Sequence, residues 1–439
     1  MKSLNIFLYE WKHFIRNPFK IVAVLLFVIA AVHGLSNGAS LYQQQTTEIK
    51  KIREQVNEDK SKYLKMYEEG KLVDEQRPWI DMSTPFWAIW WSPTYHLKIP
   101  SSALVYSIGQ AEQYGFYKRI TFWASPYDTD MAEEIANPER LQIGTLDFAF
   151  VLLFLLPLLL LILFYNIKSA EAEQGFLPLI EVQTTFSNGW LVVRILFYFL
   201  LAAAVISGLL VYGATLTDVF ETASNAFVQM LFYILLYLIF WSLIFFFVLK
   251  RGKSILGNTL QMVAVWLLFA FIIPGIVHQS VSIAKPANLM TEFIEVRDKQ
   301  QDLYANDSLF QQKLIDLFPG IVKSPVYMDS TKINLAENRS ASALVNELKK
   351  ESIAPIEKEN QEKNSMIQAT YWFNPLTFFQ NKLNQISETH YEDYQQYRKE
   401  IQALIDKRTA ILVKELWNDT KVDKKKYLEY SEILSENLK

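Results

Sequence analysis

Cysteine is absent from this sequence. Its absence excludes disulfides, thiolate metal sites and a cysteine nucleophile anywhere in the 439 residues. The chain also lacks a strong net charge, because 43 lysines and arginines stand against 46 aspartates and glutamates and leave a balance of −3. Without a basic excess there is no broad field that would attract nucleic acid. We therefore expect no nucleic-acid partner.

Catalytic and metal-binding motifs are also missing. HExxH and GxSxG patterns do not occur, and His, Asp and Glu form no cluster with metal-ligand spacing. The triplet GKS at 252–254 lacks the earlier glycine of a phosphate-binding loop, since Phe247 stands in its place. We expect no catalytic site, metal or cofactor in this chain. His33 and His278 both fall near the ends of apolar runs. They could therefore come together in one metal or proton site. The alternative is that each lies at the membrane interface with a hydrogen-bond partner of its own.

Long apolar runs are what the sequence does contain. Five runs have the length and hydropathy of membrane-spanning helices for a hydrocarbon core of about 30 Å, and the first of them is at the short limit. We predict a polytopic, mainly α-helical membrane protein with spans 1 to 5 at 19–35, 147–166, 190–215, 226–249 and 256–277. The first run follows a long basic leader without a clean cleavage site, which favours an uncleaved signal anchor.

The predicted spans contain almost no ionisable residues. Asp147 and Arg194 stand at span ends, and we interpret them as an acidic helix start and a snorkelling arginine. Ion-coupled transport loses support, because it generally needs buried charge or broken helices. Pro157 should kink or loosen span 2, and Pro274 should do the same in span 5.

Lysine and arginine in the short connections predict the orientation. The N-terminal segment is basic, and the turn after span 4 carries three bases that should anchor it in the cytoplasm: Lys250, Arg251 and Lys253. The acidic 217–225 turn should lie outside. The 167–189 loop is acidic, so its own charge does not predict its side. Connections between successive spans alternate between the two sides of the membrane, and this alternation places the loop in the cytoplasm. Two large segments, 36–146 and 278–439, then lie outside.

Residues 1–18 are predicted to form a helix that lies in the cytoplasmic interface. One face is apolar, and Glu10, Lys12, His13 and Arg16 fall largely off it. A frayed extension of span 1 is the alternative. The apolar face consists of Leu4, Phe7, Leu8, Trp11, Phe14 and Ile15.

The two outer segments differ in character. Segment 36–146 begins with a polar, helix-favouring run at 41–72 and continues into a stretch rich in aromatic residues and proline. This stretch fits either a surface resting on the membrane interface or an ordinary aromatic core. Segment 278–439 has the alternating charges of solvated helices. The aromatic residues are Trp79, Trp87, Trp90, Trp91 and Tyr95.

Three stretches resemble one bacterial family, the type-2 ABC transporter permeases of the DUF3526 class. They are PSSALVYSIGQAEQYGFYKRIT at 100–121, NPERLQIGTLDFAFVLLFLLPLLLLILFYNIKSAEAEQGFLPLIEVQ at 137–183, and NPLTFFQNKLNQISETHYEDYQQYRKEI at 374–401. The second is the most specific, because an Asp-led span followed by Glu-x-x-x-Gly rarely arises by chance. The resemblance implies a type-2 ABC exporter fold with six spans, of which five are visible. A sixth span beyond residue 439 stays open, and the usual base after Glu173 is replaced by Gln174.

The resemblance also implies partners. Such a permease sits in the bacterial inner membrane and pairs with a second permease, identical or paralogous. A cytoplasmic ATPase dimer holds the ATP and Mg²⁺. Residues 168–179 correspond to the coupling helix that fits a cleft on the ATPase, with Lys168, Glu171, Glu173, Gly175 and Phe176 as its site residues. The N-terminal helix corresponds to the connector helix, with Phe7, Trp11, Phe14 and Arg16.

These expectations define 1–18 as the connector helix, 147–277 as spans 2–5 with the coupling loop 167–189, and the outer segments as one mainly helical outer domain. The expected function is ATP-driven export or extraction of an amphiphilic or peptide-like substrate. One alternative is a mechanotransmitting complex, whose outer domains move while nothing crosses the spans. The other is a membrane-anchored sensor or scaffold without an ATPase.

Overall fold

The computed structural model describes residues 3–127, 146–183, 189–252, 254–285, 298–301, 303–304 and 307–435. The described chain is mainly helical, as predicted. Two short strands, β1 (Tyr95–Leu97) and β2 (Tyr117–Arg119), pair in antiparallel fashion.

The helices are numbered in chain order. Those of the first part are α1 (Ser3–Ile15), α2 (Pro18–Glu69), α3 (Pro85–Trp90), α4 (Phe148–Phe150, Val151–Leu155 and Leu156–Phe164 in succession), α5 (Ser169–Glu173) and α6 (Leu177–Gln183). The later spans and their connection are α7 (Gly189–Leu216), α8 (Val219–Thr222), α9 (Ser224–Arg251) and α10 (Ile255–Leu267, Leu268–Ile272 and Ile273–Ala284 in succession). The last helices are α11 (Asp307–Leu317), α12 (Ser330–Ala369), α13 (Pro375–Ile386), α14 (Tyr391–Trp417) and α15 (Lys424–Leu434).

Within the described residues, five helices are long and apolar enough to cross a membrane, the same number as predicted. They are α2, α4, α7, α9 and α10, and together they form what we call the bundle. The first differs from the prediction, because span 1 and the polar run after it form a single helix, α2, of 52 residues. At 1.5 Å per residue this helix is about 78 Å long. It therefore extends far beyond a hydrocarbon core.

Two prolines interrupt the spans as predicted, and the helix widens at each. A π-helical turn, Val151–Leu155, directly precedes the segment that holds Pro157, and Leu268–Ile272 does the same before Pro274. The proline ring clashes with the carbonyl four residues earlier and offers that carbonyl no N–H. For Pro157 that carbonyl belongs to Leu153, and the Tyr237 hydroxyl donates to it at 2.6 Å. The freed acceptor is thus satisfied by another span.

Residues from both predicted outer segments pack together in what we call the head region, made of 40–127 and 298–435. One buried core combines α3 with α12, α14 and α15. The aromatic stretch contributes Trp87, Trp90 and Trp91 to this core, which answers the open question for these three rings in favour of an aromatic core. Trp79 instead is 65% exposed. Residues 70–127 depart from the predicted helical character, because they contain only α3, a 3-10 turn and the β1–β2 pair.

The head region is fastened tightly to one end of the bundle, which we call the head end. A Cβ added to Gly34 would lie 2.7 Å from the backbone of Asp147, and one added to Gly38 would lie 2.6 Å from the carbonyl of Val105. Glycine is therefore required where α2 passes these backbones. Asp147 caps the start of α4 as predicted, and its side chain accepts from the N–H of Phe150 at 2.7 Å.

Candidate functional site

The opposite end of the bundle, which we call the junction end, gathers the predicted connector helix and coupling loop. Helix α1 packs on α7, where Phe7 meets Phe197 edge to face at 5.5 Å and Phe14 approaches Tyr198 at 6.5 Å. Leu8 and Ile15 of α1 are exposed, and Trp11 is half exposed while its ring also approaches Phe197 edge to face at 6.5 Å. An amphipathic helix at a membrane interface shows this division, with one side on protein and one available to lipid. Arg16, just after α1, is exposed.

The burial of Glu10 differs from the prediction for α1. We predicted that Glu10 would fall largely off the apolar face of α1, yet it has no exposed surface. Its carboxylate forms an ion pair with the guanidinium of Arg194 on α7. The apolar pattern missed this position because it assigns every charge to solvent. A buried carboxylate instead needs an opposite charge inside the protein.

Arg194 does not snorkel, contrary to the prediction. It is buried, and its guanidinium pairs both with Glu10 of α1 and with Glu171 of α5. The planar guanidinium has donors on several edges, so it can hold two carboxylates that come from different elements. These three residues form what we call the junction cluster. It ties the connector helix, the coupling loop and span 3 together at one point.

A second buried cation, Lys20, lies beside the junction cluster. Its ammonium donates to the carbonyl of Leu163 at 2.8 Å and to the hydroxyl of Tyr198 at 3.0 Å. It also stands 4.3 Å from the centre of the Tyr198 ring. The end of α4 exposes a carbonyl without a helical partner, and the lysine satisfies it. Lys20 thus fixes the start of α2 to the end of α4.

Polar contacts also hold the coupling loop to the turn between α9 and α10. The ammonium of Lys168 donates to the carbonyl of Lys250 at 2.6 Å. The carboxylate of Glu173 accepts from the N–H of Ile255 at 2.7 Å, at the N-terminus of α10. Carboxylates are stabilised at helix N-termini because free N–H groups and the helix dipole favour them. The loop is therefore held at both acidic positions.

The tip of the loop presents an apolar surface. Gly175 has a φ of +76°, the left-handed conformation that allows the predicted sharp reversal. Beyond it, Leu177 and Ile180 pack on the bundle core. The remaining apolar side chains of this stretch point away from the bundle and are exposed, and we call them the loop face: Phe176, Leu179 and Val182, the last 86% exposed.

The predicted topology anchors lie at the same end. Lys250 and Arg251 occupy the last turn of α9 and are exposed. Lys253 lies outside the described residues, as do 184–188 of the coupling loop. These positions agree with a common side for the connector helix, the loop and the turn after span 4. The side itself stays a prediction.

The buried charges of the junction end are paired with each other or bound to a carbonyl, so they connect the helices that carry them. Sequence reasoning did not single out Glu10 or Lys20 as a site. The available signal was Arg194, a lone charge within the apolar run WLVVRILFYF at 190–199. A charge in that setting calls for a partner, and Glu10 and Glu171 supply it.

Histidines form no metal site in the part of the chain described here, where no group of three or more His, Asp or Glu is placed to hold an ion. His33 contacts the side-chain amide of Asn37 at 3.4 Å, and His278 is exposed. The structure describes no contact between these two histidines.

Comparisons with known proteins give one match. The model of a family described as a domain of unknown function, DUF3526, matches residues 330–432. This range covers α12 to α14 and most of α15, and it leaves the bundle and the junction end outside the match. No curated protein matches the chain. No solved structure matches it either.

Proposed function

We propose that this chain is the permease subunit of an ATP-driven type-2 ABC transporter in a bacterial inner membrane. In this proposal α1 and the 168–179 loop lie in the cytoplasm and receive the motion of separate ATPase subunits. The transporter exports or extracts an amphiphilic or peptide-like substrate through a path between two permease halves. The single observation that supports this best is the loop face, an apolar surface held directly beside the junction cluster.

The geometry changes which residues would contact an ATPase. Glu171 is paired with Arg194, and Glu173 binds the start of α10, so neither carboxylate is free to face a basic cleft. Reversing these two charges would disturb the junction itself. The loop face is the better candidate for docking, because exposed apolar side chains beside a polar surround mark protein interfaces. Glu171 and Glu173 would then hold the loop in position through their contacts with the bundle.

Motion at the loop would reach two spans, α7 and α10, and the N-terminal helix α1 through direct contacts. Glu171 is paired with Arg194 and so connects the loop to α7. Arg194 is also paired with Glu10 and so connects α7 to α1. Glu173 connects the loop to the start of α10. Breaking buried ion pairs is costly, so these helices move together rather than separately. This is the behaviour that a coupling element requires.

Co-purification tests the proposal. The tagged protein would be solubilised from its native membrane, and accompanying subunits would be identified by mass spectrometry and assayed for ATP hydrolysis. We expect an ATP-binding subunit, and we expect Phe176→Asp with Leu179→Asp to reduce its recovery at least fivefold. Leu335→Asp is the matched control, because Leu335 is an equally exposed leucine in the head region. Absence of any ATP-binding subunit, or equal recovery with all variants, would reject the permease function and favour a membrane-anchored sensor or scaffold.

Mechanotransmission is a second candidate, and the length of α2 favours it. One uninterrupted helix runs from Lys20 at the junction end to Glu69 in the head region. Tight backbone packing at Gly34 and Gly38 fixes it to the head end. Such a helix would carry movement from the ATPase side directly to the head. Spin labels at Trp372→Cys in the head and Leu236→Cys on α9 of the bundle, compared with and without ATP, separate the two functions, because mechanotransmission moves α2 and the head while the other spans keep their distances.

A further inference from the structure

A polar cavity of about 480 Å³ opens in the head region. Helix α13 separates it from the bundle. Leu376 and Phe379 of this helix are buried in the bundle core, whereas Thr377 and Asn381 line the cavity. The cavity has the size of a site for a small organic ligand, for which roughly 300–1,000 Å³ is usual.

The lining is rich in side-chain amides, and no aspartate or glutamate is among the described residues that form it. It comes from α12, α13, α14 and the chain around 110–127. Several polar groups have no hydrogen-bond partner among the described residues: those of Gln113, Asn360 and Lys363. Amides both donate and accept, so these groups can bind neighbouring hydroxyls in a ligand. Other lining amides already have partners, as Asn381 donates to Tyr371 at 2.6 Å.

Aromatic residues add flat surfaces. The guanidinium of Arg398 lies between the rings of Tyr114 and Tyr127, at 4.6 and 5.0 Å from their centres. Arg398 is buried, so this stack forms a fixed part of the wall. Tyr391 also lines the cavity, and no ring contact to it is described. A ring in the wall of a cavity can pack against the C–H groups of a ligand.

Charges of both signs lie around the cavity. Lys363 and Arg398 line it, while three carboxylates contact described lining residues: Glu357 accepts from Tyr127 at 3.4 Å, Glu392 accepts from Asn364 at 3.2 Å, and Asp393 accepts from the N–H of His390 at 2.9 Å. Carboxylates beside the lining disfavour a multiply charged anion and leave a ligand with many hydroxyls as the better fit. A flat apolar ligand would leave the unpartnered amides unsatisfied.

We propose that this cavity binds a short saccharide. The unpartnered amides would bind its hydroxyls, and the Tyr391 ring would stack on a sugar face. The proposal is independent of the ATPase, because it concerns only the head region. It would also place a ligand against α13, whose other face is buried in the bundle.

Ligand-observed NMR on the full chain in detergent tests the proposal. The probes are di-N-acetylchitobiose as a neutral sugar, digalacturonate as an acidic sugar, and trialanine as a peptide. We expect saturation transfer to at least one of the two sugars and none to trialanine. The cavity variants are Asn360→Leu, which removes an amide, and Ile367→Trp, which fills the space from α12. Gln361→Ala is the matched control, because Gln361 is an exposed amide on the same helix.

Both cavity variants should weaken sugar binding at least tenfold, while Gln361→Ala should leave it unchanged. Circular dichroism of each variant verifies that it is folded, and Asn360→Leu alone decides the matter if Ile367→Trp fails to fold. Transfer to digalacturonate alone would identify an acidic sugar. Transfer to trialanine alone, or to neither sugar, would overturn the proposal. Sugar binding that survives both substitutions would overturn it as well.

Discussion

Two buried arginines, Arg194 in the junction and Arg408 in the head region, show two ways to bury a cation. Arg194 is neutralised by carboxylates from two other helices. Arg408 instead donates to the carbonyl of Ile89 at 2.6 Å and to the hydroxyl of Thr94, so it closes the end of α3. Its ring neighbour is Phe122, at 5.1 Å.

The partners of the two arginines show what each arginine holds together in its region. Burial lowers the pKa of Arg408, and among the described residues no carboxylate touches it. Its bonds go to neutral acceptors near one end of a short helix, so it holds a local structure in place. The junction cluster holds three elements by charge, and one change there alters all three. Arg408 therefore holds one local structure, whereas Arg194 connects three elements, as the proposed function requires.

Arg194→Met should have the largest effect. It leaves Glu10 and Glu171 buried without a counterion, which we expect to cost about 3–5 kcal/mol of stability. The chain has no cysteine, so the reactivity of a single introduced thiol measures the exposure of that position alone. Ile6 is buried on the packed face of α1, and the thiol of Ile6→Cys should react faster when Arg194→Met is also present. Adding Glu10→Gln and Glu171→Gln removes the unpaired charges and should restore most of the protection. Unchanged thiol reactivity after Arg194→Met would contradict the role of the cluster.

Arg408→Met should cost less, about 3 kcal/mol, because it leaves buried acceptors unsatisfied but no buried charge unpaired. The loss should be confined to the head. A thiol at the buried position Val413 should therefore react faster, while a thiol at Ile6 should keep its reactivity. Faster reaction at both positions would show that the two regions unfold as one unit and would remove the contrast between the arginines.

Gly38→Ala tests whether the head and bundle are tightly joined. The added methyl would lie 2.6 Å from the carbonyl of Val105, and such overpacking costs about 2 kcal/mol. Gly208→Ala is the control, because nothing lies within 4 Å of a Cβ there. We expect thermal unfolding, followed by tryptophan fluorescence, to shift to lower temperature only for Gly38→Ala. An equal response to both substitutions would mean that the approach at Gly38 is not a constraint.

His390→Asn should have the smallest effect, and only below neutral pH. Burial lowers the pKa of His390 more than the carboxylates of Glu392 and Asp393 raise it. The unfolded chain then binds the proton more readily, so stability decreases as pH falls below about 6.5. The neutral ring caps α14 by accepting from the N–H of Glu392 at 3.3 Å, and asparagine can cap in its place. The decrease in Tm between pH 7.5 and 5.5 should be smaller for His390→Asn than for the unchanged protein. An equal decrease in both would show that His390 does not cause the pH dependence of stability.

The spans could be predicted from sequence because a membrane demands length and hydropathy, and both can be read directly. The bends at Pro157 and Pro274 followed from proline chemistry. The unbroken course of α2 could not be predicted, because a span and a solvated helix share one backbone geometry while their compositions differ. The aromatic stretch was ambiguous for a related reason: Trp87 and Trp90 suit a core as well as a membrane interface.

The site was less predictable than the fold. The loop, its turn at Gly175 and the helix before span 1 were located from the resemblance and the amphipathic pattern. The pairing of Glu10 with Arg194 was not, because it joins residues far apart in sequence and contradicts the rule that charges face solvent. Because Glu171 and Glu173 are bound within the chain, the proposed docking surface consists of the neighbouring apolar side chains instead.

The most direct test of the account is a crosslink from the loop face to an ATP-binding subunit in native membranes. Phe176→Cys, carrying a thiol-linked photo-crosslinker, supplies the only thiol in the chain. We predict a crosslinked product that contains an ATP-binding subunit and that changes in yield when ATP is added, with no such product from Leu335→Cys. If Phe176→Cys gives no product with an ATP-binding subunit, or gives the same product as Leu335→Cys, the junction does not receive work from an ATPase.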